Sequence, residues 1–151
     1  MTAQRFYLPA GLPVPEPFPD GLDRPYWEGL RRQRLVIQHC LDCRSFQWLP
    51  EWLCHRCHSE QLEYAPVAPR GTIYSGYRAW NPRHPALREL TTYVVVLVEL
   101  DEAPGVRLIG NLLGEPMREI VIGSAVTGVF EHHPEFSLLQ WRRTTDDLEQ
   151  R

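Results

Sequence analysis

Cys40-Leu41-Asp42-Cys43 and Cys54-His55-Arg56-Cys57 decide how this chain is read. The two Cys-x2-Cys pairs are separated by ten residues. Two residues between cysteines let a tight turn aim both sulfurs at one point. Two such knuckles facing each other supply four thiolates in a tetrahedron, the arrangement zinc prefers. Cys40, Cys43, Cys54 and Cys57 are all the cysteines of the 151-residue chain, so no thiol is left over. Four cysteine ligands saturate zinc and leave no position for water, so the expected site is structural. Disulfides compete with this reading, but a reducing cytosol disfavours them. A thioredoxin-like redox pair would need one Cys-x2-Cys on a βαβ frame. Iron accepts the same four thiolates, so a rubredoxin-like electron carrier stays open at this point. His39, His55 and His58 adjoin the cysteines and are expected outside the ligand set, because that set is complete without them.

Outward from the cysteines, short β-prone runs flank each turn. Leu35-Val36-Ile37-Gln38 leads into the first pair and Phe46-Gln47-Trp48-Leu49 leads out of it. Trp52-Leu53 leads into the second pair, and Leu62 and Tyr64 follow it. About 30 residues are too few to hold together by apolar burial alone, so the metal is expected to supply folding energy. Ahead of the ribbon, Asp23 reads as a helix N-cap and Pro25 suits the first turn, where a missing N–H costs nothing. Tyr26, Trp27 and Leu30 would share one face of a helix over 23–32, and Arg31, Arg32 and Arg34 suit the dipole at its end. Residues 1–21 hold five of the 14 prolines, which favours an extended arm; Phe6, Leu12, Val14 and Phe18 give that arm something to bury.

After Gly71 the texture changes to recurring strands, expected at 72–80, 91–100, 107–113, 125–131 and 137–142. Proline, glycine and asparagine punctuate the gaps. Residues 116–120 read as a short helix or a turn. Five strands in this order fit a small Greek-key barrel of the OB type. The expected class is mainly β, divided into an arm (1–21), a helix (22–34), a zinc ribbon (35–66), an OB-fold (67–143) and a polar tail (144–151).

Composition narrows the function. Hydrophobic residues make up 43%, enough for a core. No apolar run approaches the length of a membrane span, and the N-terminal residues do not resemble a secretory signal, so a cytoplasmic protein is expected. All 16 basic residues are arginine, which excludes a lysine Schiff base or P-loop lysine. Net charge is −3, which argues against a polyanion-binding surface. In Tyr77-Arg78-Ala79-Trp80-Asn81-Pro82-Arg83-His84, aromatic and cationic groups mix at the end of the first barrel strand. Arginines there could bind phosphates and Trp80 could stack on a base. The plainer reading is a solvated loop with a packed tryptophan. His132-His133 reads as a turn between strands, and Asp101-Glu102 as an acidic hairpin turn. No nucleophile, base and orienting group are designated, so no catalytic residues are expected.

The order of parts then carries a resemblance. Tyr26-Trp27-Glu28-Gly29-Leu30, Leu35-Val36-Ile37-Gln38-His39-Cys40, the second knuckle and Gly71-Thr72-Ile73-Tyr74-Ser75 follow one another. This resembles the zinc-ribbon/OB-fold acyl-CoA-associated proteins, long grouped as a domain of unknown function. Val98-Glu99-Leu100-Asp101-Glu102 and Ile122-Gly123-Ser124-Ala125-Val126 look like that family's second barrel strand with its turn and its entry to the fourth. The family usually places glycine after the second cysteine of a knuckle, where positive φ is comfortable. Here those positions hold Arg44 and His58.

The resemblance implies a non-catalytic accessory subunit. Its partner would be a thiolase-like, aldolase-like or hydratase-like enzyme of lipid, sterol or aromatic degradation, and it would help form the acyl-CoA site. Arg78, Trp80 and Arg83 would then lie near a CoA phosphate or adenine. A nucleic-acid-binding module is the rival from another class; the acidic balance and absent lysine count against it.

Overall fold

The computed structural model describes residues 21–80 and 92–145. Residues 1–20, 81–91 and 146–151 lie outside the described residues, and with them most of the expected arm, Asn81, Pro82, Arg83 and His84, the first residue of the strand expected at 91–100, and most of the expected tail.

Helix α1 spans Arg24–Arg31, with Pro25 in its first turn. It buries Tyr26 and Leu30 together, as their spacing predicts. Asp23 precedes the helix but makes no side-chain cap. Its carboxylate instead accepts the Trp27 indole N–H at 2.8 Å, one turn on. The helix ends in a Schellman turn: Arg34 N–H donates to Gly29 O at 2.9 Å and Gln33 N–H to Leu30 O at 3.0 Å, with Gln33 at φ 57°. The reversal brings the chain so close that a Cβ at Gly29 would lie 2.7 Å from Arg34 O. Glycine is required there.

The chain then enters β1 (Leu35–Cys40), the centre of a three-stranded antiparallel sheet in the order β2-β1-β3. Its edges are β2 (Phe46–Gln47) and β3 (Leu62–Val67). Both knuckles lie beyond the Cys40 end of β1.

The second sheet is five-stranded, in the order β6-β5-β4-β7-β8. Its strands are β4 (Arg70–Ala79), β5 (Tyr93–Leu100), β6 (Arg107–Asn111), β7 (Ala125–His132) and β8 (Ser137–Arg143). β4 is the long strand and pairs with both β5 and β7, bending at an irregularity between Ile73 and Ser75. The sheet curls until β6 and β8 meet at a single parallel bridge, Leu112 with Trp141. The seam is tight: a Cβ at Gly110 would lie 2.7 Å from Leu139 O and 2.8 Å from the Trp141 ring. No continuous ladder closes it, yet the strand order is that of an OB-fold. Residues 116–120 form turns, not a helix, closed by Arg118 N–H to Glu115 O at 3.2 Å.

In β5, Val94, Val96, Val98 and Leu100 point inward and alternate with half-buried neighbours. Trp141 is fully buried across from them. Tyr26, Leu30, Leu35, Ile37 and Val67 belong to the same cluster, so helix, ribbon and barrel share one core.

Candidate metal centre

The two knuckles have the same backbone. In the first, Cys40 N–H donates to Ser45 O at 2.9 Å and Arg44 N–H to Cys40 O at 3.0 Å. In the second, Cys54 N–H donates to Ser59 O at 2.9 Å and His58 N–H to Cys54 O at 2.8 Å. Arg44 and His58 both adopt positive φ, 62° and 61°. The left-handed residue after each second cysteine is therefore present, although neither is glycine. A side chain there costs about 1 kcal/mol.

All four sulfurs lie within 4.8 Å of one another. Cys40 Sγ is 3.6 Å from Cys57 Sγ, and Cys43 Sγ is 3.5 Å from Cys54 Sγ. Zinc–sulfur bonds of about 2.3 Å make the edge of an S4 tetrahedron about 3.8 Å. The donor set therefore fits a tetrahedral thiophilic cation at its centre. Cys40 and Cys54 are buried, Cys43 is half-buried and Cys57 is exposed, so the second cysteine of each knuckle faces the rim.

The surroundings favour thiolate at Cys54 and Cys43. Hydrogen bonds from Ser45, then from backbone amides, hold the Cys54 thiol down to about 5. Ser45 also lowers Cys43. At Cys57 the Ser59 amide pulls downward, but burial and sharing with Cys43, Cys40 and Cys54 push the thiol up to about 12. Hydrogen bonds shared with the neighbouring sulfurs hold the Cys57 proton, and a central cation would reverse that preference.

Two glutamines that sequence reasoning did not single out position the second knuckle. Gln38 and Gln47 are 3% and 1% exposed. Gln47 donates to Gln38 Oε1 at 2.6 Å and to Leu53 O at 3.2 Å, and accepts from His55 N–H at 3.0 Å. Gln38 donates to Glu51 O and accepts from Glu51 N–H, both at 2.9 Å. The segment leading into Cys54 is thus clamped to β1 and β2. Glutamine in a β-prone run gives no sign of facing inward, so only the fold reveals this.

The histidines keep to other roles. His39 hydrogen-bonds Glu63 at 3.1 Å and leans on Phe46; His55 and His58 are exposed. His132 and His133 lie where β7 turns into β8. His132 bonds Ser137 at 2.7 Å and His133 bonds Glu131 at 2.8 Å.

Of the proposed ligand residues, Arg78 and Trp80 stand together, with the guanidinium 5.5 Å from the ring centre. Arg78 donates Nε to Pro116 O at 2.8 Å and Nη2 to Arg118 O at 2.7 Å. Trp80 is exposed. Arg83 is outside the described residues. An open, mainly apolar groove of about 420 Å³ runs between Trp27, Trp48 and Leu49 and the strands carrying Ile109, Asn111 and Gln140.

Fold and site together define a zinc-ribbon/OB-fold protein. The chain belongs to the ChsH2 family: residues 27–63 match its rubredoxin-like zinc ribbon domain and residues 64–131 its C-terminal OB-fold domain. It is 38% identical over 122 residues to a probable enoyl-CoA hydratase alpha subunit of Thermomonospora curvata, covering 80% of this chain and 37% of that protein. It is 31% identical over 146 residues to the 3-oxo-4,17-pregnadiene-20-carboxyl-CoA hydratase alpha subunit of Mycobacterium tuberculosis, covering 89% and 45%. The chain thus spans less than half the length of these curated relatives. Among solved structures it is similar to a chain of the Ltp2-ChsH2(DUF35) aldolase, with a TM-score of 0.70 and 34% identity, over 80% of this chain and 93% of that one. A DUF35 protein of Sulfolobus solfataricus shares the fold at a TM-score of 0.58 and 13% identity, over 79% and 82%. No helix among the described residues is long and apolar enough to cross a membrane.

Proposed function

We propose that this chain is a non-catalytic accessory subunit of a cytoplasmic acyl-CoA-processing enzyme of the thiolase, retro-aldolase or enoyl-CoA hydratase type. It binds that enzyme and helps form its acyl-CoA site in lipid, sterol or aromatic degradation. The observation that carries this reading is the match, over 93% of its length, to a chain of the Ltp2-ChsH2(DUF35) aldolase, an enzyme whose name joins two components. The hydratase subunits named above support it, and because the chain spans under half of them, their activity is not carried over whole.

The residues of the chain supply a frame. Zinc at Cys40, Cys43, Cys54 and Cys57 is structural: bound there, it is saturated by sulfur and offers no open position to substrate. Leu49 and Ile109 in the groove, and Tyr77 and Trp80 near the end of β4, are exposed and apolar, the character of surfaces a partner covers. Arg78, fixed by two carbonyls, holds the 116–118 turn beside Trp80. We assign Arg78 and Trp80, and Arg83 on its sequence alone, to a CoA phosphate or adenine.

The test is enzymatic. The partner enzyme encoded alongside this chain should be insoluble or weakly active alone and gain acyl-CoA turnover when the chain is added. A partner that is fully active alone and indifferent to the chain would sink the proposal. Unchanged acyl-CoA affinity in an Arg78→Ala, Arg83→Ala complex would remove the ligand assignment while leaving the subunit role.

A further inference from the structure

Serine occupies the same place in both knuckles, two residues after the second cysteine: Ser45 after Cys43 and Ser59 after Cys57. Their carbonyls do the same work, each accepting the N–H of its knuckle's first cysteine. Their hydroxyls differ, and both reach across to the other knuckle. Ser45 Oγ lies 2.9 Å from Cys43 Sγ and 3.4 Å from Cys54 Sγ. It thus touches one sulfur of its own knuckle and one of the opposite knuckle. Ser59 Oγ donates to Asp42 Oδ2, in the turn of the first knuckle, and accepts from Gln61 N–H at 3.0 Å.

These contacts sit at the rim, where the site is open. Cys43 and Cys57 are the less buried ligands, so a departing ion or an incoming chelator meets them first. A metal-bound thiolate keeps negative charge and accepts hydrogen bonds. A hydroxyl aimed at it steadies the sulfur against swinging away. A contact from Ser59 to Asp42 keeps the two turns from parting.

We infer that Ser45 and Ser59 form a reciprocal latch between the knuckles. Ser45 is a positioning residue acting on the sulfurs, and the Ser59–Asp42 contact closes the rim. Together they set how fast the metal leaves, more than whether the knuckles form. This inference rests on the zinc reading above.

The experiment measures metal transfer from the purified full chain to an excess of chromogenic chelator. Metal content is read first: a wild-type chain without one equivalent of zinc would overturn the zinc reading itself. Given that equivalent, Ser45→Ala should release zinc about 10-fold faster, the usual scale for an outer-shell partner. Ser45→Thr keeps a hydroxyl and should restore most of the wild-type rate. Ser59→Ala should speed release about 2- to 5-fold, as expected of an exposed contact, and Asp42→Ala added to it should speed it no further. Replacing zinc by cobalt gives a second readout that survives poor folding of one variant: the sulfur-to-cobalt charge-transfer band should shift in Ser45→Ala and hold in Ser59→Ala. Release within two-fold of wild type in Ser45→Ala, with an unmoved cobalt band, would overturn the latch. A Ser45→Thr chain as fast as Ser45→Ala would also overturn it.

Discussion

Replacing Gln47 by leucine should loosen the second knuckle while preserving the volume of the site. The side chain is 1% exposed and makes three hydrogen bonds, to Gln38 Oε1, Leu53 O and His55 N–H. Three net bonds at about 0.5–1.5 kcal/mol each amount to about 1.5–4.5 kcal/mol. Leu53 and His55 are themselves exposed, so water can take up their freed backbone groups. That places the expected loss in the lower half, about 1.5–3 kcal/mol. Gln38 keeps its two bonds to Glu51, so β1 should stay in register. The assay is urea unfolding of the metal-loaded chain followed by tryptophan fluorescence, with the exposed Glu60→Gln chain as a control expected within about 0.5 kcal/mol of wild type. A Gln47→Leu chain as stable as that control would refute the clamp, because Gln38 Oε1, Leu53 O and His55 N–H would then have lost a hydrogen-bond partner at no cost.

Other outcomes follow from the same structure. Stripping the metal with a chelator should lower the thermal unfolding midpoint, because the ribbon is too small to hold together by apolar burial alone; a midpoint unmoved by complete metal removal would contradict a structural site. Gly110→Ala should destabilise the barrel by about 1–3 kcal/mol, because the new methyl meets Leu139 O and the Trp141 ring under 3 Å away; an unchanged unfolding midpoint would show that the seam gives way freely. Arg78→Ala should free the 116–118 turn, read as faster amide exchange there with the ribbon unaffected; unchanged exchange would mean that the turn holds itself.

What the sequence disclosed was what residue type alone determines. Two Cys-x2-Cys pairs can converge on one point whatever surrounds them, and Pro25 in a first helical turn needs no tertiary context. The alternation in Tyr93–Leu100 was hidden inside a continuous apolar run, since its outward positions Val95 and Leu97 are as apolar as the inward ones. Other features depended on competition between partners. Asp23 had the right chemistry for a cap, but the Trp27 indole one turn on took its carboxylate. Gln38 and Gln47 look like surface residues until β1 and β2 pair and bring them face to face. Ser45 and Ser59 gave no signal of their own in the sequence, because which sulfur or carboxylate each reaches depends on how the two knuckles face each other. Arg83 stands outside the described residues, so the ligand edge rests on Arg78 and Trp80.

The most direct test of the accessory-subunit account is the mass of the complex. The chain should be co-expressed with the thiolase-, aldolase- or hydratase-type enzyme encoded beside it and resolved by size-exclusion chromatography with light scattering. The account predicts a single species containing both chains in fixed ratio, with one zinc per copy of this chain. Two separate peaks, each with the mass of its own chain or homo-oligomer across the working concentration range, would contradict it.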